Sequence, residues 1–170
     1  GKTKIGKNNA IGPNSIIDNS YIGNNNRIEA SKIANSQIIN DVTVGPFAHI
    51  RDQSLILGDN RIGNFVEIKK SNVGMLTKLS HLAYMGDTMC GQNVNFGCGA
   101  ITCNYDGKNK HKTVIGDNAF IGSNSNLIAQ KKKKKGSLVG AGSTIYEDVE
   151  EDSLAIARSY QINKTNYYRK

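Results

Sequence analysis

The chain runs to 170 residues, enough for one domain and too little for a second independent unit. Hydrophobic residues make up 38% and aromatics 6%, with no Trp, so a core must be filled by aliphatic side chains; two prolines and 18 glycines exclude collagen-like or proline-rich disordered material. The net charge of +8 favours anionic partners, and since aromatics do not interleave with the basic residues as base stacking requires, phosphorylated small molecules fit better than nucleic acid.

At the N-terminus, Gly1-Lys2-Thr3-Lys4 leads into no apolar signal segment, and no apolar run approaches the roughly 20 residues that span a bilayer. We expect a soluble, cytoplasmic protein with no membrane partner. From there the chain is organised by a repeat. Aliphatic-glycine pairs recur as Ile5-Gly6, Ile11-Gly12, Ile22-Gly23, Val44-Gly45, Ile62-Gly63, Val73-Gly74, Met85-Gly86, Ile115-Gly116, Ile121-Gly122 and Val139-Gly140. Positions without glycine fill the same ruler: Ile50, Ile56, Ile62, Ile68, Val73, Leu79, Met85, Cys90 and Phe96, in steps of six with occasional fives. A second run, Ile115, Ile121, Leu127, position 133, Val139 and Ile145, keeps six throughout. Neither a helical period nor simple strand alternation produces that spacing.

The repeat predicts a β-solenoid in which each hexad supplies a short strand and a turn, with its aliphatic residue pointing inward. Three hexads make one triangular coil, so an inward residue is expected to stack on those 18 residues away. Asn occurs 21 times, and Asn with Gly tolerates the left-handed backbone that sharp corners demand. The three cysteines, Cys90, Cys98 and Cys103, cannot all pair and have no metal-binding spacing, so they read as buried small thiols in a reducing compartment.

The ruler breaks in three places. The polar stretch 103–113, with its Tyr-Asp-Gly turn, must leave the solenoid as an exposed loop, where binding residues often sit. In Gln130-Lys131-Lys132-Lys133-Lys134-Lys135-Gly136 a lysine stands where position 133 should be aliphatic. A charge cannot enter a dry core unpaired, so the coil over 130–136 is expected to bulge or fray. The solenoid is predicted to end at 152, with 153–170 a short helical or disordered extension.

Particular segments add a resemblance to the repeat. They are Val44-Gly-Pro-Phe-Ala-His-Ile-Arg51, Gly63-Asn-Phe-Val-Glu-Ile-Lys-Lys70, His81-Leu-Ala-Tyr-Met-Gly-Asp87, Asn93-Val-Asn-Phe-Gly-Cys-Gly-Ala-Ile-Thr-Cys-Asn-Tyr-Asp-Gly107 and Ile121-Gly-Ser123. In order, from about Gly1 to Arg158, the chain resembles the C-terminal acetyltransferase domain of the bifunctional glucosamine-1-phosphate N-acetyltransferase and N-acetylglucosamine-1-phosphate uridylyltransferase family. The resemblance implies a left-handed parallel β-helix, an exception to the right-handed crossover rule. It also implies a homotrimer with active sites between neighbouring subunits, acetyl-CoA as donor and no metal. The family's uridylyltransferase domain and first coils have no counterpart here, which suggests a piece of a longer chain.

Acyl transfer from a thioester to an amine needs a base, donors for the developing oxyanion and cations for the sugar phosphate. By the resemblance His81 is the general base, a role suited to imidazole, which titrates near neutrality. Arg51, Lys69, Tyr84 and Asn95 match the family's sugar-phosphate ligands, and Lys110 in the loop is placed within reach of the phosphate. Cys98, Asn104, Tyr105, Ser123, Ala141 and Arg158 fall on its acetyl-CoA positions, Cys98 through its main-chain N–H. His49 and His111 are left without a role. The lysine run departs from the family, and reads as a distorted surface loop, as extra attraction for donor phosphates, or as damage to donor binding. Other functions stay open: another hexad-repeat acyltransferase, or a catalytically silent solenoid. A zinc-dependent carbonic anhydrase on this scaffold would need clustered histidines, and the three histidines are widely spaced.

Overall fold

The computed structural model describes residues 1–168. The hexads become short strands, most of two or three residues, paired only in parallel. They wind into a three-faced, left-handed parallel β-helix. Among the described residues there is no helix.

Each face has its own inward column. The first stacks Ile22, Ile38, Ile56, Val73, Cys90 and Ile115. The second stacks Ile28, Val44, Ile62, Leu79, Phe96, Ile121 and Val139. The third carries Ile33, Ile50, Ile68 and Met85, then Thr102, Leu127 and Ile145. These side chains are buried, and enclosing each aliphatic one contributes about 1.5–3 kcal/mol. Ile5 and Ile11, on the first coil, occupy the same columns yet stay half-exposed, because they lie at the open end of the stack.

The spacing between stacked residues differs from the uniform 18 that ideal hexads require. Ile22 pairs with Ile38, Ile56 with Val73 and Ile38 with Ile56, so the step varies between 16 and 18. Corners absorb the difference. Eight asparagines, Asn8 and Asn93 among them, take positive φ there, as their abundance predicts. Buried hydroxyls close another corner from coil to coil: Ser20 Oγ accepts from Ser36 N (3.1 Å), and Ser71 Oγ accepts from Thr88 N (2.9 Å).

The loop leaves the solenoid after the strand Ile101–Cys103 and returns at Thr113–Ile115. Cys90 still pairs with Ile115 across it, so the insertion leaves the ladder intact.

The coil over 130–136 does not bulge. Lys132–Lys133 is a strand in register with Val114 and Ile115, and Lys133 is fully buried in the aliphatic position. The ladder on both sides holds it: Gly116 N donates to Lys133 O (2.6 Å), Val149 N to Lys132 O (2.9 Å) and Lys134 N to Val149 O (3.0 Å). Register also sets the lysine run against the acidic run Glu147–Asp152, and Lys134 Nζ meets Glu150 Oε2 at 2.6 Å. Nor does regular structure stop at 152, since Leu154–Ala155 pairs in parallel with Leu138–Val139. The last residues of the expected extension, 169–170, lie outside the described residues.

Candidate active site

Two nine-residue strands, Arg61–Lys69 and Lys78–Gly86, run continuously around a corner and pair along most of their length. Beyond the corner their outward residues meet those of His49–Arg51: Glu67 lies between His49 and Tyr84, and Lys69 between Arg51 and Gly86.

This face holds a basic cluster with built-in counter-charges. Arg51 Nε and Nη2 both reach Glu67 Oε1, at 2.8 and 2.7 Å, while Nη1 meets Asp52 Oδ2 at 2.7 Å. Burial works against the charge of Arg51, but Glu67 outweighs it and the guanidinium is held above its usual range. Lys69 is nearly buried, with its Nζ 3.6 Å from Asp87 Oδ2. The same Asp87 oxygen accepts from Asn104 Nδ2 at 2.5 Å, and that amide lies 3.5 Å from Tyr84 Oη. Lys110, from the loop, comes within hydrogen-bonding reach of Lys69. That contact raises Lys69 and lowers Lys110, since two ammonium groups this close repel and the charge settles on Lys69; Asp87 raises both, but for Lys110 it is outweighed by Lys69 and by burial. A dianionic phosphate would relieve the repulsion between them.

Tight packing supports the cluster. A methyl group added at Gly86 would meet Tyr84 Oη at 2.4 Å and Asn104 Nδ2 at 2.7 Å, so only glycine lets these two side chains close over the strand.

The corner carries a second constellation. Asn64 pairs with His81, and Asn64 Oδ1 lies 2.8 Å from His81 Nδ1. A carbonyl oxygen accepts only, so Nδ1 donates, and in the neutral form of this exposed ring Nε2 is the nitrogen left to accept a proton. The next three coils place Cys98, Ser123 and Ala141 at this same corner: Asn124 N donates to Cys98 O and Gly142 N to Ser123 O, both at 2.8 Å. Among the described residues, the main-chain N–H groups of Cys98, Ser123 and Ala141 donate no hydrogen bond. Such a row of free donors suits carbonyl and amide oxygens of an extended acyl carrier.

The structure thus groups Arg51, Lys69, Tyr84, Asn104 and Lys110 on one face, and His81, Cys98, Ser123 and Ala141 along one edge. Tyr105 is exposed on the loop, its hydroxyl donating to Gly107 O at 2.7 Å. Arg158 is exposed and passes over Gly142, next to Ala141; its Cδ lies 3.9 Å from where a Cβ would sit. Asn95 projects from a different face, between Lys78 and Phe120, away from the basic cluster. Of the cysteines, only Cys90 is buried, its thiol pushed up to about 12 by burial; Cys103 is partly covered and Cys98 exposed, because neither occupies an inward column.

Sequence reasoning missed Asn64, Glu67 and Asp87. Each stands one coil from its partner, in the pairs Asn64–His81, Arg51–Glu67 and Lys69–Asp87. Scanning for complementary residues 16 to 18 positions apart would have found all three.

No family model matches the chain. Curated relatives do. The bifunctional protein GlmU of Geobacillus sp. is 59% identical over 167 residues, 98% of this chain and 36% of that protein. GlmU of Listeria monocytogenes is 52% identical over 167 residues, again 98% and 36%. The chain therefore spans little more than a third of the length of these relatives. Among solved structures, the UDP-N-acetylglucosamine acyltransferase of Campylobacter jejuni superposes with a TM-score of 0.75 at 18% identity, covering 91% of this chain and 67% of that one. LpxA of Acinetobacter baumannii gives 0.69 at 15% identity, covering 88% and 69%. These two establish the fold. With the whole chain matched at more than half identity, the family follows from sequence: the chain is a homologue of the C-terminal domain of the bifunctional GlmU proteins, on a left-handed hexapeptide-repeat β-helix.

Proposed function

We propose that this chain transfers the acetyl group of acetyl-CoA to the 2-amino group of glucosamine-1-phosphate, working as a homotrimer in the cytoplasm. The observation that carries the reading is the His81–Asn64 pair: a solvent-facing imidazole whose tautomer leaves Nε2 basic, one coil from the free N–H of Cys98.

In this reading Lys69, Lys110 and Arg51 take the sugar phosphate, and Tyr84 and Asn104 border the ring. His81 Nε2 removes a proton from the attacking amine while Cys98 N–H donates to the thioester oxygen as negative charge builds there. The C–N bond forms, the C–S bond breaks, and the proton held by His81 passes to the departing thiolate. Ser123, Ala141 and Arg158 line the path of the donor.

Assembly is supported by two features. Asn95 can join a site containing Lys69 only if another copy presents it. Phe47, Phe65 and Leu82 form an exposed apolar ridge beside Glu67 and Tyr84, with the two phenylalanine rings stacked at 5.5 Å. Among the described residues no helix is long and apolar enough to cross a membrane.

The test is thiol release from acetyl-CoA across a panel of amine acceptors. Release should need glucosamine-1-phosphate, and His81→Ala should lower kcat by roughly 10²–10⁴-fold with sugar-phosphate binding retained. Equal release with an amino-acid acceptor would point to a different acyltransferase. Silence with every amine, from a folded oligomer, would mark a binding protein without catalysis.

A further inference from the structure

The loop that carries Asn104, Tyr105 and Lys110 is held by a residue outside both constellations. Asp106 Oδ1 accepts from the main-chain N–H groups of Lys108 and Asn109, at 2.8 and 2.7 Å, which forms the turn. His111 then clamps that turn to the body of the solenoid. Its Nε2 lies 2.5 Å from Asp106 Oδ2, and its Nδ1 lies 2.6 Å from Gln130 Nε2 on the following coil. A neutral imidazole protonated at Nε2 satisfies both contacts, donating to the carboxylate and accepting from the amide. The main chain adds two ties: His111 N donates to Asn104 O (2.8 Å) and Gln130 N to Lys112 O (2.9 Å).

Lys110 is the neighbouring residue and bridges Tyr105 in an antiparallel pair. In such an extended stretch, successive side chains leave on opposite sides. Fixing His111 against Gln130 therefore turns Lys110 the other way, the side on which it and Lys69 perturb each other's charge. Lys110 would otherwise be a long, mobile side chain on an exposed loop, and ordering it costs up to about 2 kcal/mol of rotamer entropy.

We propose that His111 is a positioning residue: bridging Asp106 and Gln130, it aims Lys110 at Lys69 and so sets the affinity of this site for a phosphate-bearing acceptor. The proposal rests on the reading of Lys69 and Lys110 as phosphate ligands.

The experiment compares wild type, His111→Ala, Gln130→Asn and the double variant. Asn keeps the left-handed backbone of Gln130, whose φ is 65°, but is too short to reach the ring. Two readouts are taken: steady-state kinetics with glucosamine-1-phosphate, and calorimetric titration with inorganic phosphate alone. His111→Ala should raise KM for the sugar phosphate roughly tenfold, the loss of about one charge-supported hydrogen bond, with kcat at saturation within about twofold. Phosphate affinity should fall by a similar factor, and the double variant should be no worse than His111→Ala. A structural defect would instead lower kcat and the folded fraction together.

Wild-type affinity for phosphate in His111→Ala, or fully additive losses in the double variant, would overturn the inference, as would a wild-type protein that does not bind phosphate. Phosphate binding that weakens in His111→Ala, in a protein that acetylates no amine, would uphold the clamp while removing the acetyltransferase reading.

Discussion

Lys69 and Lys133 both lie nearly out of solvent, and the two regions that hold them treat the charge in opposite ways. Lys69 sits at the edge of the middle coils, where Asp87 faces it at 3.6 Å and a second ammonium group, Lys110, comes close enough to invite an anion. Lys133 sits in the aliphatic column of a later coil, and among the described residues its Nζ has no hydrogen-bond partner. Burial pushes it down to about 8, with Asp148 pulling weakly the other way and Lys131 adding to the depression. The same side chain is a ligand where the protein supplies an answering charge and a fault in the core where it does not. Enclosure alone predicts neither.

The largest effect should come from repairing the fault. A free lysine titrates at 10.5 and Lys133 at about 8, so the unfolded chain binds more protons between those values. The penalty is fully present below pH 8 and disappears as pH rises to 10.5, amounting to about 3 kcal/mol at neutral pH. Lys133→Ile should therefore raise the unfolding midpoint by roughly 10 °C at pH 7 and flatten the rise in wild-type stability between pH 8 and 10.5. Thermal melts across that range check both; equal gains at pH 7 and pH 11 would show that Lys133 is not buried as a charge.

A smaller effect probes the other member of the comparison. Asp87→Ala strands Lys69 and leaves Asn104 Nδ2 without its carboxylate, which should cost about 2 kcal/mol of stability. In urea unfolding, Lys69→Met with Asp87→Ala should be less damaging than the sum of the single changes, because the pair fails as a unit.

The smallest effect concerns the exposed part of the lysine run. Lys134 and Glu150 make a close ion pair, but both are open to water, where such pairs contribute little. Lys134→Gln should leave the melting midpoint unchanged within error. A marked drop would mean that matching between the basic and acidic runs, rather than the main-chain ladder, holds this coil in register.

Much of the fold could be read in advance. Every residue placed on the ruler from Ile50 to Phe96 is buried, as are Ile115, Ile121, Leu127, Val139 and Ile145. The repeat works as a predictor because one aliphatic per hexad is what a three-sided coil needs. It misled at Lys133, where dislike of a buried charge was weighed without the ladder on both sides that holds the main chain in place. It also overstated the stacking interval, because corners differ in length by a residue. Of the candidate site, the residue types could be named from motif resemblance, yet Asn64, Glu67, Asp87 and His111 had no local signature. Each acts through a partner on another coil or across the loop.

The amino-acid order by itself determined the coil, its inward columns and the place where the loop leaves it, since these depend on side-chain period and backbone tolerance along a local stretch. Which polar groups meet was decided only in three dimensions. The register of one coil on the next puts Asp87 against Lys69 and Asn64 against His81, and leaves Lys133 Nζ without a hydrogen-bond partner among the described residues. Because corners absorb a step that varies between 16 and 18 residues, the strand ladder and not a fixed sequence interval assigns those partners.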